Sequence, residues 1–147
     1  MLINISPLIS PELLKILDEM GHNDRLIIGD ANFAGASLAN NGKGKLVRAD
    51  GLGAVEMLDA ILQLIPLDIY VEKPAVLIEK EAVDSQLATP IWDTFAEIIA
   101  RYDKRGANAI AKIPRHEFYK AASDVYAIIQ TSERALYGCI MLQKGVI

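Results

Sequence analysis

Cysteine is nearly absent from this chain: Cys139 is the only one in 147 residues. That excludes an intramolecular disulfide and a cysteine-rich zinc site, and it suits a reducing compartment. Histidine is almost as scarce. His22 and His116 stand too far apart to share metal-ligand spacing, so no metal is expected. Positive charge is in deficit, with 15 Lys and Arg against 19 Asp and Glu. A net charge of −4 disfavours a nucleic-acid partner, because affinity for phosphate backbones needs clustered cations. The one basic cluster, Lys43-Gly44-Lys45 with Arg48, lies in a Gly/Asn-rich stretch and reads as solvated charge. No apolar run approaches the roughly 18–20 residues of a membrane span. The N-terminus carries neither the basic region nor the long apolar core of a secretion signal, so a cytoplasmic location is expected.

The familiar chemical signatures are missing too. There is no Gly-x-x-x-x-Gly-Lys-Ser/Thr phosphate loop, and Gly51-Leu52-Gly53 is too short for a dinucleotide fingerprint. Neither a Gly-x-Ser-x-Gly elbow nor a His-Glu-x-x-His motif occurs.

What is present is apolar and regularly punctuated. The hydrophobic fraction, 52%, is enough for one domain with a proper core, spanning 1–147. A slightly positive mean hydropathy hints at extra buried surface such as a subunit interface. Ser10-Pro11 opens a helix whose apolar face is Leu13, Leu14, Leu17 and Met20. Gly21 is placed to end it in the left-handed conformation. Leu26-Ile27-Ile28 reads as a buried strand, 34–45 as a loop, and Arg48-Ala49-Asp50-Gly51 as a turn with Asp50 positioned to cap a helix. Val55, Leu58, Ile61, Leu62 and Ile65 form the face of that helix, which Pro66 ends.

Ala75-Val76-Leu77-Ile78 is a second buried strand, and Thr89-Pro90 starts a third helix with Trp92, Phe95, Ile99 and Tyr102 on one face. Strands follow at 109–113 and 126–130 with a short helix between them, and the last strand is 137–143. Alternating helices and continuously apolar strands indicate an α/β fold: a single compact domain with a mainly parallel sheet covered by helices.

Four polar positions invite a chemical reading. His22 follows a helix end, and its ordinary pKa suits proton exchange near neutral pH; a capping or surface role is its alternative. Asp30 follows a buried strand, where ligands of open α/β sheets gather, or else serves as an Asx turn. Arg115, after Pro114, can anchor a polar substrate or make a salt bridge. Tyr137-Gly138-Cys139 opens the last strand, where glycine allows close backbone approach. These residues alone define a small α/β protein with a polar site and no identified reaction.

Longer segments carry more information. Ile5-Ser6-Pro7-Leu8-Ile9-Ser10-Pro11-Glu12-Leu13-Leu14, Glu19-Met20-Gly21-His22-Asn23-Asp24 and Asp30-Ala31-Asn32-Phe33 are followed by Arg48-Ala49-Asp50-Gly51-Leu52. Ile113-Pro114-Arg115-His116-Glu117-Phe118-Tyr119 and Glu133-Arg134-Ala135-Leu136-Tyr137-Gly138 complete the set. Together they resemble the L-fucose mutarotase branch of the ribose pyranase and fucose mutarotase family, in order and from residue 2 onward. Leu67-Asp68-Ile69-Tyr70-Val71-Glu72 and Thr89-Pro90-Ile91-Trp92 are similar to the longer members of that branch.

The resemblance implies a cytoplasmic isomerase, free of cofactor and metal, that interconverts the anomers of a free monosaccharide such as L-fucose. It implies His22 as proton donor and sugar contacts from Asp30, Arg115, Tyr137, Gly138 and Cys139, with Tyr119 lining the pocket. It further implies a homo-oligomer, commonly a decamer of two stacked pentamers, with each site shared between neighbouring subunits. A D-ribose pyranase and a non-catalytic sugar-binding subunit are the alternatives. Two departures stand out: Ala34 replaces a customary proline, and Cys139 replaces an asparagine, exchanging a carboxamide for a weakly hydrogen-bonding thiol.

Overall fold

The structure, a computed structural model, describes residues 2–147. Its helices are α1 (Pro11–Glu19), α2 (Gly35–Asn41), α3 (Ala54–Leu62), α4 (Pro90–Tyr102) and α5 (Arg115–Ala122). The strands are β1 (Arg25–Gly29), β2 (Lys45–Ala49), β3 (Ala75–Ile78), β4 (Ile110–Ile113), β5 (Ala127–Thr131) and β6 (Ile140–Gln143). Short 3-10 turns occupy Ala82–Asp84 and Gly106–Ala109.

One sheet contains all six strands in the order β2-β5-β1-β6-β3-β4. Strands β2, β5 and β1 run parallel, as do β3 and β4, while β6 is inserted antiparallel between β1 and β3. The expectation of a mainly parallel sheet therefore holds, with one reversed strand at its centre.

Strand period two divides the core between the faces. Leu26 and Ile28, Ala127 and Ile129, Ile140 and Leu142 point to one side, where α1, α3 and α4 cover them. Ile27, Ile128 and Met141 point to the other, under Phe33 and Phe118 of α5. The central strands β1, β5 and β6 are therefore apolar through their middles because neither face meets water there, whereas the edge strands β2 and β4 keep exposed positions.

Several local expectations are corrected. Helix α1 starts as expected, with Ser10 accepting from Leu13 N–H at 3.1 Å and Pro11 at the first position. It ends, however, at an extended Met20, and the left-handed residue is Asn23 (φ 72°) rather than Gly21. Gly21 N–H instead donates to Asp24 at 2.8 Å. The segment 34–45 is not a loop but contains α2. Arg48 and Ala49 close strand β2 rather than forming a turn. Asp50 caps no helix. It pairs with Arg48 at 2.5 Å, while Gly53 heads α3 and donates its N–H to Glu56 at 2.7 Å. The last strand begins at Ile140, so Tyr137, Gly138 and Cys139 form the approach to β6. Lys43 and Lys45 pair with Asp124 and Glu19, which neutralises the basic cluster.

Candidate active site

The parallel strands β1, β3 and β4 end at one pole of the sheet, and antiparallel β6 begins there. Their end loops enclose a cavity of about 300 Å³ lined by Asp30, Phe33, Arg115, Tyr119, Tyr137 and Cys139. Five of the residues singled out in the sequence thus meet in one place. Gly138 joins them through its backbone, since its N–H faces the Asp30 carboxylate. A side chain there has no room: a Cβ on Gly138 would stand 2.8 Å from the Ala135 carbonyl oxygen.

Asp30 is buried and accepts the Asn32 N–H at 2.9 Å, so the Asx turn and the pocket position are both real. Burial pushes its pKa above the usual carboxylate value, opposed by the N–H groups of Asn32, Gly138 and Phe33. Tyr119 stacks on Phe33 with ring centroids 5.4 Å apart, and burial raises its phenol pKa. Burial likewise drives the Cys139 thiol far upward, so it stays protonated at neutral pH and is a poor nucleophile. Arg115, the first residue of α5, pairs with Glu81 at 2.8 Å, which makes its salt-bridge reading correct at the pocket rim.

Tyr137 adopts φ 60°, a left-handed conformation uncommon for an aromatic residue. The Trp92 indole N–H donates to its carbonyl at 3.0 Å. Its hydroxyl donates to Asp84 at 2.6 Å and accepts the Glu81 N–H at 3.1 Å. Trp92 is thus half-buried scaffolding for the pocket, whereas Phe95 and Ile99 of the same helix are core.

His22 lies elsewhere. Strand β1 separates it from Asp30, and its five residues alone span about 16 Å. At that opposite pole, His22 Nε2 meets Asp68 Oδ2 at 3.2 Å. Asp68 is buried, and it also accepts from Gln143 Nε2 at 2.9 Å and Tyr70 N–H at 2.9 Å. Burial works to raise the Asp68 pKa, but the Tyr70, Gln143 and His22 donors outweigh it and hold the carboxyl ionised. An ionised carboxylate only accepts, so Nε2 must carry the hydrogen and Nδ1 is the nitrogen free for proton exchange. The loop bearing His22 is tied down by Asn23 N–H to the Lys144 carbonyl at 2.9 Å, and by Lys144 Nζ on the Leu17 and Met20 carbonyls. The His22 side chain remains 42% exposed.

Asp68, Glu81, Asp84 and Gln143 are the polar partners that reading single residues missed. A faint signal existed for Asp68: it is the lone charge in the apolar run Ile65-Pro66-Leu67-Asp68-Ile69. Among the described residues no three His, Cys, Asp or Glu converge to hold a metal ion, and no helix is long and apolar enough to cross a membrane. A larger groove of about 720 Å³, between α4 and edge strand β4, contains none of these candidate residues.

The pattern is that of a small pocket at strand ends, a few polar groups set in a largely apolar lining, with a carboxylate-oriented imidazole displayed at the far pole. The chain belongs to the RbsD / FucU transport protein family, whose family model matches residues 3–147. It is similar to the human fucose mutarotase, 43% identical over 97% of this chain and 92% of the relative. Among solved structures it is similar to FucU from Bifidobacterium longum, with TM-score 0.94 and 49% identity over 98% of this chain and 99% of that one. It also matches the fucose mutarotase from Streptococcus pneumoniae in complex with L-fucose, at TM-score 0.90 and 38% identity, covering 99% of each chain.

Proposed function

We propose that this chain is an L-fucose mutarotase whose active site is completed by a second copy of itself. The observation that carries the reading is the cavity holding Asp30, Arg115 and Tyr137 in a chain alike, nearly end to end, to a mutarotase solved with L-fucose.

Anomer exchange opens the C1–ring oxygen bond, lets the aldehyde carbon turn, and recloses the ring. The C1 hydroxyl loses its proton as C1=O forms, and the ring oxygen gains one as its bond to C1 breaks. Both oxygens are attached to C1, so one imidazole nitrogen reaches both. Nδ1 of His22 takes the first proton and delivers it to the ring oxygen, and closure retraces the steps on the other face. An imidazole nitrogen both accepts and donates a proton, so the same group serves both directions. Asp30 accepts from sugar hydroxyls and Arg115 donates to them, which limits unproductive rotation of the open chain. The reaction as written consumes no cofactor.

Because β1 keeps His22 from Asp30 within one chain, the His22 of one copy must meet the cavity of another. The surface suits such a contact: Ile69, Tyr70, Val146 and Ile147 are exposed on the His22 side, and Val83 and Leu136 beside the cavity. Two different surfaces meeting head-to-tail close into a ring when the rotation permits. Stacked pentamers are the assembly proposed, and the cytoplasm the location; native mass spectrometry gives the subunit count.

Saturation-transfer NMR on L-fucose tests the activity, with D-ribose run in parallel for ring-size exchange. Faster α/β exchange of fucose than in buffer is expected. A rate equal to the blank contradicts the proposal.

Asp68 orients the base. Asp68→Asn presents an amide donor to Nε2 and favours the other tautomer, so kcat should fall roughly 10- to 1,000-fold with KM nearly unchanged. Saturation kinetics measure both. An unaltered kcat would show that the His22–Asp68 contact has no part in the reaction.

A further inference from the structure

The segment from Lys80 to Leu87 contributes Glu81 and Asp84 to the cavity wall, and the sugar-binding reading above assigns them no role. Lys80 Nζ ties it into a loop by donating to the Ser85 and Leu87 carbonyls at 3.1 and 2.9 Å. Two of its groups then hold the Tyr137 hydroxyl: the Asp84 carboxylate at 2.6 Å and the Glu81 N–H at 3.1 Å. A phenol has one hydrogen to give and two lone pairs. Asp84 takes the hydrogen, because a carboxylate oxygen only accepts, and Glu81 N–H takes one lone pair. One lone pair remains, on a side chain that lines the cavity.

We infer that Asp84 is a positioning residue that makes the Tyr137 hydroxyl an obligate hydrogen-bond acceptor toward the bound sugar. The sugar must therefore present a hydroxyl that donates at this point. Donation to an anion also polarises the phenol and strengthens its oxygen as an acceptor. The backbone agrees with a built-in purpose: Tyr137 stands at φ 60°, a conformation disfavoured for a residue with a Cβ, and the Trp92 indole donates to its carbonyl.

The inference rests on the fucose-binding reading, and the test separates the two. Fluorine accepts weakly and cannot donate, so monofluoro analogues of L-fucose, one hydroxyl replaced at a time, report the direction of each hydrogen bond. Dissociation constants for the parent sugar and the series are measured on the wild type, Asp84→Ala, Asp84→Asn and Tyr137→Phe, alongside anomer exchange and thermal unfolding.

In the wild type, one position should show a penalty of about tenfold on fluorination. That penalty should disappear in Tyr137→Phe and shrink severalfold in Asp84→Ala, where the phenol is free to turn its hydrogen inward. Asp84→Asn keeps an acceptor oxygen and should keep the penalty. Equal penalties in the wild type and Asp84→Ala at every position, with both proteins folded, would overturn the assignment of Asp84 and leave the fucose reading standing. Failure of the wild type to bind or exchange fucose would overturn the functional reading, and this one with it.

Discussion

His22→Ala is expected to slow catalysed fucose anomer exchange by about 10²- to 10⁴-fold, the usual worth of a positioned general acid–base group. Binding should change little, because hydroxyl contacts come from the opposite pole, where Asp30, Arg115 and Tyr137 stand. The fold should tolerate the change as well. The side chain is 42% exposed, and the loop that carries it is held by backbone contacts to Lys144 rather than by the imidazole. The one group left short is Asp68, which retains its Tyr70 and Gln143 donors. Exchange spectroscopy and a binding isotherm on the same sample check both halves. Loss of binding in step with loss of rate would place His22 among the sugar-holding residues instead.

Asp30→Asn should move activity and stability in opposite directions. Exchange should fall by about 100-fold or more as the charged acceptor for sugar hydroxyls is lost, while the melting temperature at neutral pH should rise. The sign follows from the raised pKa. The folded state holds the Asp30 proton more tightly than the unfolded state, whose value is near 3.8. Its favourable contribution is therefore complete below pH 3.8 and is lost as pH climbs through the higher folded value. Above that range burial of the carboxylate charge is a net cost that an amide lacks, and the amide oxygen still accepts the Asn32 N–H. A higher melting temperature than the wild type's is expected at pH 7, and the difference should shrink toward pH 3. Thermal melts across that range measure it. A destabilised variant at pH 7 would mean that the charge is satisfied in the fold after all.

The fold's legible parts are those whose residues face the core on both sides. Leu26-Ile27-Ile28 and Ala75-Val76-Leu77-Ile78 are strands because nothing else buries such short apolar runs, and α4 starts at Pro90 as expected, although the Thr89 side chain makes no capping hydrogen bond. Helix α2 is illegible because Leu38 is its only large apolar residue, so no stripe announces it. Strand β2 is an edge strand with the charged Lys45 and Arg48 among its five residues, which gives it the look of a loop. Gly21 fails as a helix terminator because Met20 leaves the helix in extended backbone, moving the left-handed turn to Asn23.

The site divides in the same way. Asp30 and Arg115 were identifiable from their places after strands, and the family resemblance supplied Tyr119, Tyr137 and Cys139. Asp68 and Asp84 depend on contacts across 46 and 53 positions of chain, which no local pattern records. The direction of β6 was equally hidden, and it is β6 that brings Gln143 to the Asp68 carboxylate beside His22.

The measurement that bears most directly on a shared site is subunit mixing. His22→Ala and Arg115→Ala, each inactive alone, are unfolded together and refolded at equal concentration, with mass spectrometry confirming mixed assemblies. If each site takes His22 from one copy and Arg115 from its neighbour, about a quarter of the interfaces in a random mixture unite two intact residues. Activity should then return to about a quarter of the wild-type level. Mixed assemblies no more active than the two parents would contradict a site built between subunits.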